Sequence, residues 1–542
     1  MSKLTDEEVK DLINELRDNI EFKDFIKAKF VLSFFDSLKE KDQKKILLIL
    51  NSSSDEFGIF LLVYLLSENP GLNEKYPEIE EKILSSLYYY PELVIRFLTD
   101  KEIKDKTLFI RAAGNLQYKP AAKIIKNILN NAQKSSEVRL LIKTLGEIGD
   151  PGSVSDLSDY LYFDDNTIVD FCIDAMGKIA SPEAIGHLSN KFGSHEKNDL
   201  KILKYFGKFQ DDQSLKILNQ SLNSDNSKIR NYAKEVLVKI GSKSVPHITD
   251  NLSSNNKDLV INSLNALGEI GDEKAIKPIR DLLNNMPEDS NIRFAAYEAL
   301  SNLPLQNRAY YLAQGLTDPS EQVRIAAAKA VDNNVDKMLL GGIKQIVNKK
   351  NEESIIVINA IINARADKFF KELIGESSFQ DLAKVAFSNA PKDVITHYST
   401  LAKESNFNDF AESIKSQNGD KEERKLACVI DDSRMILNIL KNTLYKLNFD
   451  AMTFSSSADA LKWIERKKPD IVFTDLNMPE INGIEVTQKV RLQYDGSELP
   501  IVLITSRDDE KSNKDAYEAG INNILYKPFN MDKLKEVLSA FE

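Results

Sequence analysis

The sequence predicts a multidomain chain, an all-α solenoid of paired helices followed by a doubly wound α/β domain of five βα units. Three observations carry this prediction. A helical pattern recurs about every 31 residues through the middle of the chain. After a polar linker the pattern changes to short apolar runs alternating with amphipathic segments. Acidic, hydroxyl and lysine residues then fall at the ends of those apolar runs.

Composition narrows the function classes. The 542 residues allow a repeat array plus a module. With 42% hydrophobic and 29% charged residues the chain has ample material for a core, and intrinsic disorder is excluded. A net charge of −11 makes nucleic acid a poor partner. The two cysteines, Cys172 and Cys428, lie in apolar stretches, which excludes a disulfide framework and makes a reducing cytoplasm the expected location. The acidic start, through Asp6-Glu7-Glu8, lacks the basic tip and apolar run of a signal peptide. The greasiest stretch, Ile59 to Leu66, is far shorter than the ~20 residues that span a bilayer, so no membrane insertion is expected.

Residues 1–104 read as an N-terminal helical cap region outside the repeat register, opened by acidic residues that a helix dipole favours. Its segment Leu84 to Leu98 carries Tyr88-Tyr89-Tyr90, either as part of a closing cap or as the lining of a partner groove. Residues 105–375 form the repeats. A small residue, a charge, an apolar residue and a turn recur at Gly146, Gly177, Gly207, Val238 and Gly268, with weaker copies at Ser301, Asp332 and Asn363. The spacings are 31, 30, 31, 30, 33, 31 and 31. In the unit around Gly268, Leu259, Leu264, Leu267 and Ile270 form one apolar stripe and Ile276, Ile279 and Leu282 the next. So short a hairpin must stack on its neighbours to bury these faces. With the first-helix arginines of Val138-Arg139, Ile229-Arg230, Ile292-Arg293 and Val323-Arg324, the units resemble HEAT repeats of the kind found in phycobilisome-lyase-like proteins. That resemblance implies a surface for binding another protein. A lyase role would need a convergent polar cluster, and the repeats show none.

Residues 376–413 read as a helical C-terminal cap and 414–424 as a linker. In 425–542 the strand candidates are Leu426–Ile430, Ala451–Phe454, Ile471–Thr474, Ile501–Ile504 and Asn523–Tyr526, with helices starting near Ser433, Ser457, Gly483, Asp508 and Asp532. In such a sheet the site lies at the carboxyl ends of the strands. There the sequence places Asp431-Asp432, Asp475, Thr505-Ser506 and Lys527-Pro528. Three converging carboxylates repel one another and make a hard oxygen site suited to Mg²⁺, while a lysine and a hydroxyl beside them receive phosphoryl oxygens.

This set, with Asp475-Leu476-Asn477-Met478-Pro479, Asn482-Gly483 and Lys527-Pro528-Phe529, resembles the CheY-like, flavodoxin-fold receiver domain of two-component response regulators. The resemblance implies that Asp475 accepts phosphate from a histidine kinase, a phosphotransfer protein or a small phosphodonor. It also implies Mg²⁺ held by Asp432, Asp475 and the backbone carbonyl of Asn477, with Asp431 acting largely through water. Lys527 would pair with a phosphoryl oxygen and Thr505 would carry the signal. Asn477 and Arg507 flank the place where family members tune self-dephosphorylation. The family's aromatic switch position is Ile524 here, and Tyr526 lies two residues further along on the same strand face.

Neither part is basic, since 421–542 holds 18 Lys+Arg against 21 Asp+Glu, and no helix-turn-helix module follows, which disfavours a transcription factor. No Gly-rich ATP segment marks a kinase. His187, His195, His247 and His397 are scattered without metal-ligand spacing. The expected function is a phosphoacceptor signalling protein, not an enzyme in the ordinary sense, whose solenoid binds an unidentified protein under phosphorylation control. The expected route is a phosphorylation-driven change in the face built by the last two helices and last strand, roughly Asp508 to Ala540, that alters docking against the solenoid's C-terminal end or exposes its concave face to a protein partner. The alternative is a phosphate sink or relay tethered by a passive scaffold.

Overall fold

A computed structural model describes residues 5–53, 55–69, 71–388, 390–416, 424–478, 481–505, 510–527 and 529–541. Among the residues singled out above, Pro479, Ser506, Arg507, Asp508 and Pro528, and linker residues 417–423, lie outside the described ones. The chain divides into two compact units, Met1–Tyr205 and Phe206–Glu542. Among the described residues no helix is long and apolar enough to cross a membrane.

The first unit is helical throughout. Its opening helix Asp6–Glu21 begins in a capping box, with Glu8 N donating to Thr5 Oγ1 and Thr5 N to Glu8 Oε2. Tyr88 and Tyr89 are exposed and meet edge to face, their centroids 5.7 Å apart. The first repeat helices here include Ser135–Ile148 and Asn166–Ile179. The recurring small residue has a packing cause, because a Cβ at Gly146 would lie 2.5 Å from Ala175 Cα on the next repeat. The turn has a backbone cause. Gly149 and Ala180 both adopt left-handed conformations, with φ of 68° and 54°, and so end their helices.

In the second unit the first repeat helices continue as Ser227–Ile240, Lys257–Ile270, Ser290–Ser301, Glu321–Asn333 and Glu352–Asn363. Gly268 again meets the next repeat closely, its Cβ position 2.8 Å from Ala299 Cα. The buried stripe of Lys257–Ile270 runs through Val260, Leu264 and Leu267, whereas the expected Leu259 and Ile270 are half-buried. The difference is a rotation of the stripe by about one residue, which keeps Gly268 on the packed side. Three of the recurring arginines close their own turns. Arg230, Arg293 and Arg324 each send Nη1 to the carbonyl six residues earlier, on Ser224, Pro287 and Asp318, at 2.7, 2.6 and 2.6 Å. Arg139, in the first unit, instead donates to Thr167 Oγ1. Helices Ser377–Phe387, Lys392–Glu404 and Asn408–Lys415 follow the repeats.

The C-terminal part is a five-stranded parallel sheet in the order β2-β1-β3-β4-β5, with β1 Lys425–Ile430, β2 Phe449–Phe454, β3 Ile471–Asp475, β4 Ile501–Thr505 and β5 Asn523–Tyr526. β3 and β4 are buried along their whole length, as a parallel strand covered on both faces must be. Helices Arg434–Lys446, Ser457–Arg466, Gly483–Arg491, Glu510–Glu518 and Met531–Ser539 cover the sheet. Both cysteines are buried free thiols whose pKa burial raises.

Candidate functional site

The carboxyl ends of β1, β3 and β5 bring three side chains into direct contact. Lys527 Nζ lies 2.7 Å from Asp475 Oδ1 and 2.8 Å from Asp431 Oδ2. The second oxygen of Asp475 accepts from the backbone N–H of Asn477 at 2.7 Å. Asp431 Oδ1 accepts from Ser433 N at 2.8 Å, which shapes the start of the first helix of the sheet domain. Thr505, buried at the end of β4, offers its carbonyl to Lys527 N at 2.7 Å.

A glycine seats the loop after β3. Gly483 N donates to Leu476 O, and a Cβ at Gly483 would stand 2.3 Å from Asp475 O and 2.9 Å from a methyl of Leu503. Asn482 caps the following helix in a capping box with Glu485. The Asn482-Gly483 pair is therefore a packing device behind Asp475.

The charges strain against one another. Burial pushes the Asp431 carboxyl up to about 7, with Lys527 opposing the shift and Asp475 and Asp432 adding to it. Asp432 keeps much of its surface exposed yet is crowded on its inner side. That burial, then the charge of Asp475, raises its carboxyl too, and Lys234 and Lys527 oppose. Burial works against the Lys527 ammonium, but Asp431 and Asp475 outweigh it and raise its pKa. Crowded carboxylates are the chemistry a hard divalent cation relieves, and Asp431, Asp432 and Asp475, with the backbone carbonyl of Asn477, would supply its oxygens. Among the described residues no group of three or more His, Cys, Asp or Glu stands in ligating geometry, and Lys527 is paired with both Asp431 and Asp475.

The repeats of the second unit cover this site, which sequence reasoning did not foresee. Ser433 Oγ donates to Glu298 Oε1 at 2.9 Å, and Arg230 Nη2 donates to Asn477 Oδ1 at 2.9 Å. Asn291 and Gln322, each the second residue of its repeat helix, donate their side-chain amides to the carbonyls of Lys527 and Phe529. A cavity of about 140 Å³ remains between the two surfaces, lined by Lys234, Asn265, Glu298, Asp432, Asp475 and Lys527 among others. Burial raises the Glu298 carboxyl, its bond from Ser433 opposes, and the charge of Asp432 adds.

The helix Arg434–Lys446 extends the contact. Lys441 pairs with Asp393 at 3.0 Å and Lys446 with Glu321 at 3.4 Å, while Asn442 donates to the carbonyl of Asn363. Of the expected docking face, Asp508 to Ala540, the loop after β5 takes part, through the carbonyls of Lys527 and Phe529. The contacts as a whole come mainly from the loops at the strand ends and the first helix of the sheet domain. The physical reason is complementarity: N-terminal turns of the repeat helices carry Arg230, Asn291 and Gln322, and the strand-end loops carry the acceptors. The one readable signal was the recurring arginine; Asn291, Gln322 and Glu298 carry no local motif. His397 forms an ordinary pair, its Nε2 2.8 Å from Asp367 Oδ1.

At the level of whole families, residues 427–539 match the response regulator receiver domain and 245–332 match HEAT repeats. The chemotaxis protein CheY1 of Helicobacter pylori is 36% identical over 114 residues, covering 21% of this chain and 92% of that protein. The alkaline phosphatase synthesis transcriptional regulatory protein PhoP of Bacillus subtilis is 33% identical over 106 residues, 20% of this chain and 43% of PhoP. Among solved structures, chemotaxis protein CheY4 of Vibrio cholerae is similar, with 25% identity over 22% of this chain and 99% of that one, at a TM-score of 0.21.

Proposed function

Because the chain belongs to the response-regulator receiver family, we propose that it is a two-component response regulator whose phosphoacceptor is Asp475 and whose output is the HEAT solenoid docked over that site. Asp475 Oδ1 would attack the phosphorus of a histidine kinase's or phosphotransfer protein's phosphohistidine, or of a small phosphodonor, and the leaving group would depart with its electron pair. Lys527, already on Asp475, would turn to a phosphoryl oxygen, and Thr505 would hydrogen-bond another. Mg²⁺, held by Asp431, Asp432, Asp475 and the Asn477 carbonyl, would supply neutralisation of the phosphoryl charge. This makes the chain a phosphoacceptor signalling protein of the cytoplasm. We assign its parts as a cap at 1–104, repeats at 105–375, a second cap at 376–413, a linker at 414–424 and the receiver at 425–542.

One observation carries the gating: repeat side chains bond to each of the three loops that hold the acid pair, Asn477 and Lys527. A dianionic phosphoryl group placed in the cavity beneath Glu298 brings like charges together in a low-dielectric space, which weakens docking. Hydrogen exchange of the full chain with Mg²⁺, with and without acetyl phosphate, tests this with Asp475→Asn as control. Loss of protection in Ser227–Ile240 and Ser290–Ser301, absent in the variant, is the expected result. Changes confined to the loop after β3 would overturn gating and favour a tethered phosphate sink.

A further inference from the structure

Three repeat arginines do the same structural work, and one of them does more. Arg293 and Arg324 close their turns through Nη1, and Arg293 spends Nε and Nη2 on Asp318 at 2.8 and 3.0 Å. Arg230 closes its turn in the same way, but its Nη2 reaches Asn477 of the receiver. Arg230 is only 3% exposed. A buried guanidinium is costly unless its donors are matched, and Asn477 supplies one of the acceptors. The side-chain oxygen of Asn477 must be the atom facing Arg230, since the guanidinium accepts nothing. The backbone N–H of the same residue holds Asp475 Oδ2. An unbroken line of hydrogen bonds thus runs from a repeat turn, Ser224 O, through Arg230 and Asn477 to the reacting carboxylate.

The geometry points to Arg230 as a positioning residue of the phosphoacceptor site, through which the solenoid sets how long phosphate stays on Asp475. This rests on the reading of Asp475 as phosphoacceptor. In phosphorylated chains that are still docked, Arg230 holds the Asn477 oxygen toward the repeats, so that amide is withheld from any water near the phosphoryl group and the loop that orients Asp475 is fixed. Released, the amide orients a water and the loop admits more of them. Attack of that water on phosphorus breaks the acyl phosphate bond, regenerates the Asp475 carboxylate and releases inorganic phosphate.

The test uses the full chain phosphorylated by acetyl phosphate with Mg²⁺, freed of donor, and followed by intact mass. Arg230→Gln shortens the phosphorylated lifetime about three- to tenfold, the weight of one ordinary intramolecular hydrogen bond. Arg230→Lys, which keeps a cation for the turn carbonyl but loses the fork, shortens it likewise. Arg293→Gln, which loosens an equivalent turn, leaves it within about twofold. In an Asn477→Ala background, Arg230→Gln has no further effect. Equal lifetimes in wild type and Arg230→Gln would overturn the assignment, and so would an equal effect of Arg293→Gln or additivity with Asn477→Ala. A wild-type chain that takes up no phosphate overturns the Asp475 reading as well, and is recognised before any arginine variant is compared.

Discussion

Thr505 and Tyr526 are direct partners in the parallel register of β4 and β5, one residue before Lys527. Ile524, at the family's aromatic switch position, instead pairs with Leu503 and is buried in the sheet's core. The ring beside the threonine is thus Tyr526, packed against the same core as Ile524, and its hydroxyl accepts from Asn513 Nδ2 at 2.8 Å. A threonine that moves toward a phosphoryl group opens space beside this ring. Tyr526→Leu should therefore leave phosphate uptake at Asp475 intact while reducing the acetyl-phosphate response in the repeats. Intact mass and hydrogen exchange on the same sample separate the two effects.

Lys527 is the only described cation bonded to both Asp431 and Asp475. Lys527→Met leaves two buried carboxylates facing each other, which costs about 3–5 kcal/mol in metal-free protein. Urea unfolding should show that loss, and added Mg²⁺ should restore more stability to the variant than to wild type. An Mg²⁺ effect equal in both would contradict the shared-donor arrangement.

Mg²⁺ affinity should rise with pH. The Asp431 carboxyl, pushed up to about 7, binds a proton below that point, and the proton competes with the cation. The same shift means that metal-free folded protein holds protons the unfolded chain has released, so its stability falls as pH rises from the ordinary carboxylate range toward about 7. Calorimetric titration should give about tenfold weaker Mg²⁺ binding near pH 6 than near pH 8, and Asp431→Asn should flatten that slope.

Gly483→Ala forces a methyl against the carbonyl of Asp475. Backbone cannot yield as a flexible side chain does, so the variant should lose about 1–3 kcal/mol and phosphorylate more slowly. Denaturant midpoints and acetyl-phosphate uptake measure both. A stable variant with normal uptake would show that the loop after β3 does not need this close approach.

Much of the chain was legible from local pattern. A period near 31 residues forces paired helices to stack, because each pair buries its stripe only against the next, and Gly146 and Gly268 are small because neighbouring helices nearly touch there. Alternating strands and helices fix a parallel sheet, and a parallel sheet puts its site at the strand ends, where Asp431, Asp475 and Lys527 do meet. These are consequences of periodicity and chirality, which a sequence carries in itself. The surface that covers the site was not legible. Arg230 and Asn477 are 247 positions apart, and Glu298 and Ser433 are 135 apart. No period links them, since docking depends on the shape and donor pattern of two finished folds. Tertiary structure alone decided that one repeat arginine, while closing its own turn, also reaches the receiver.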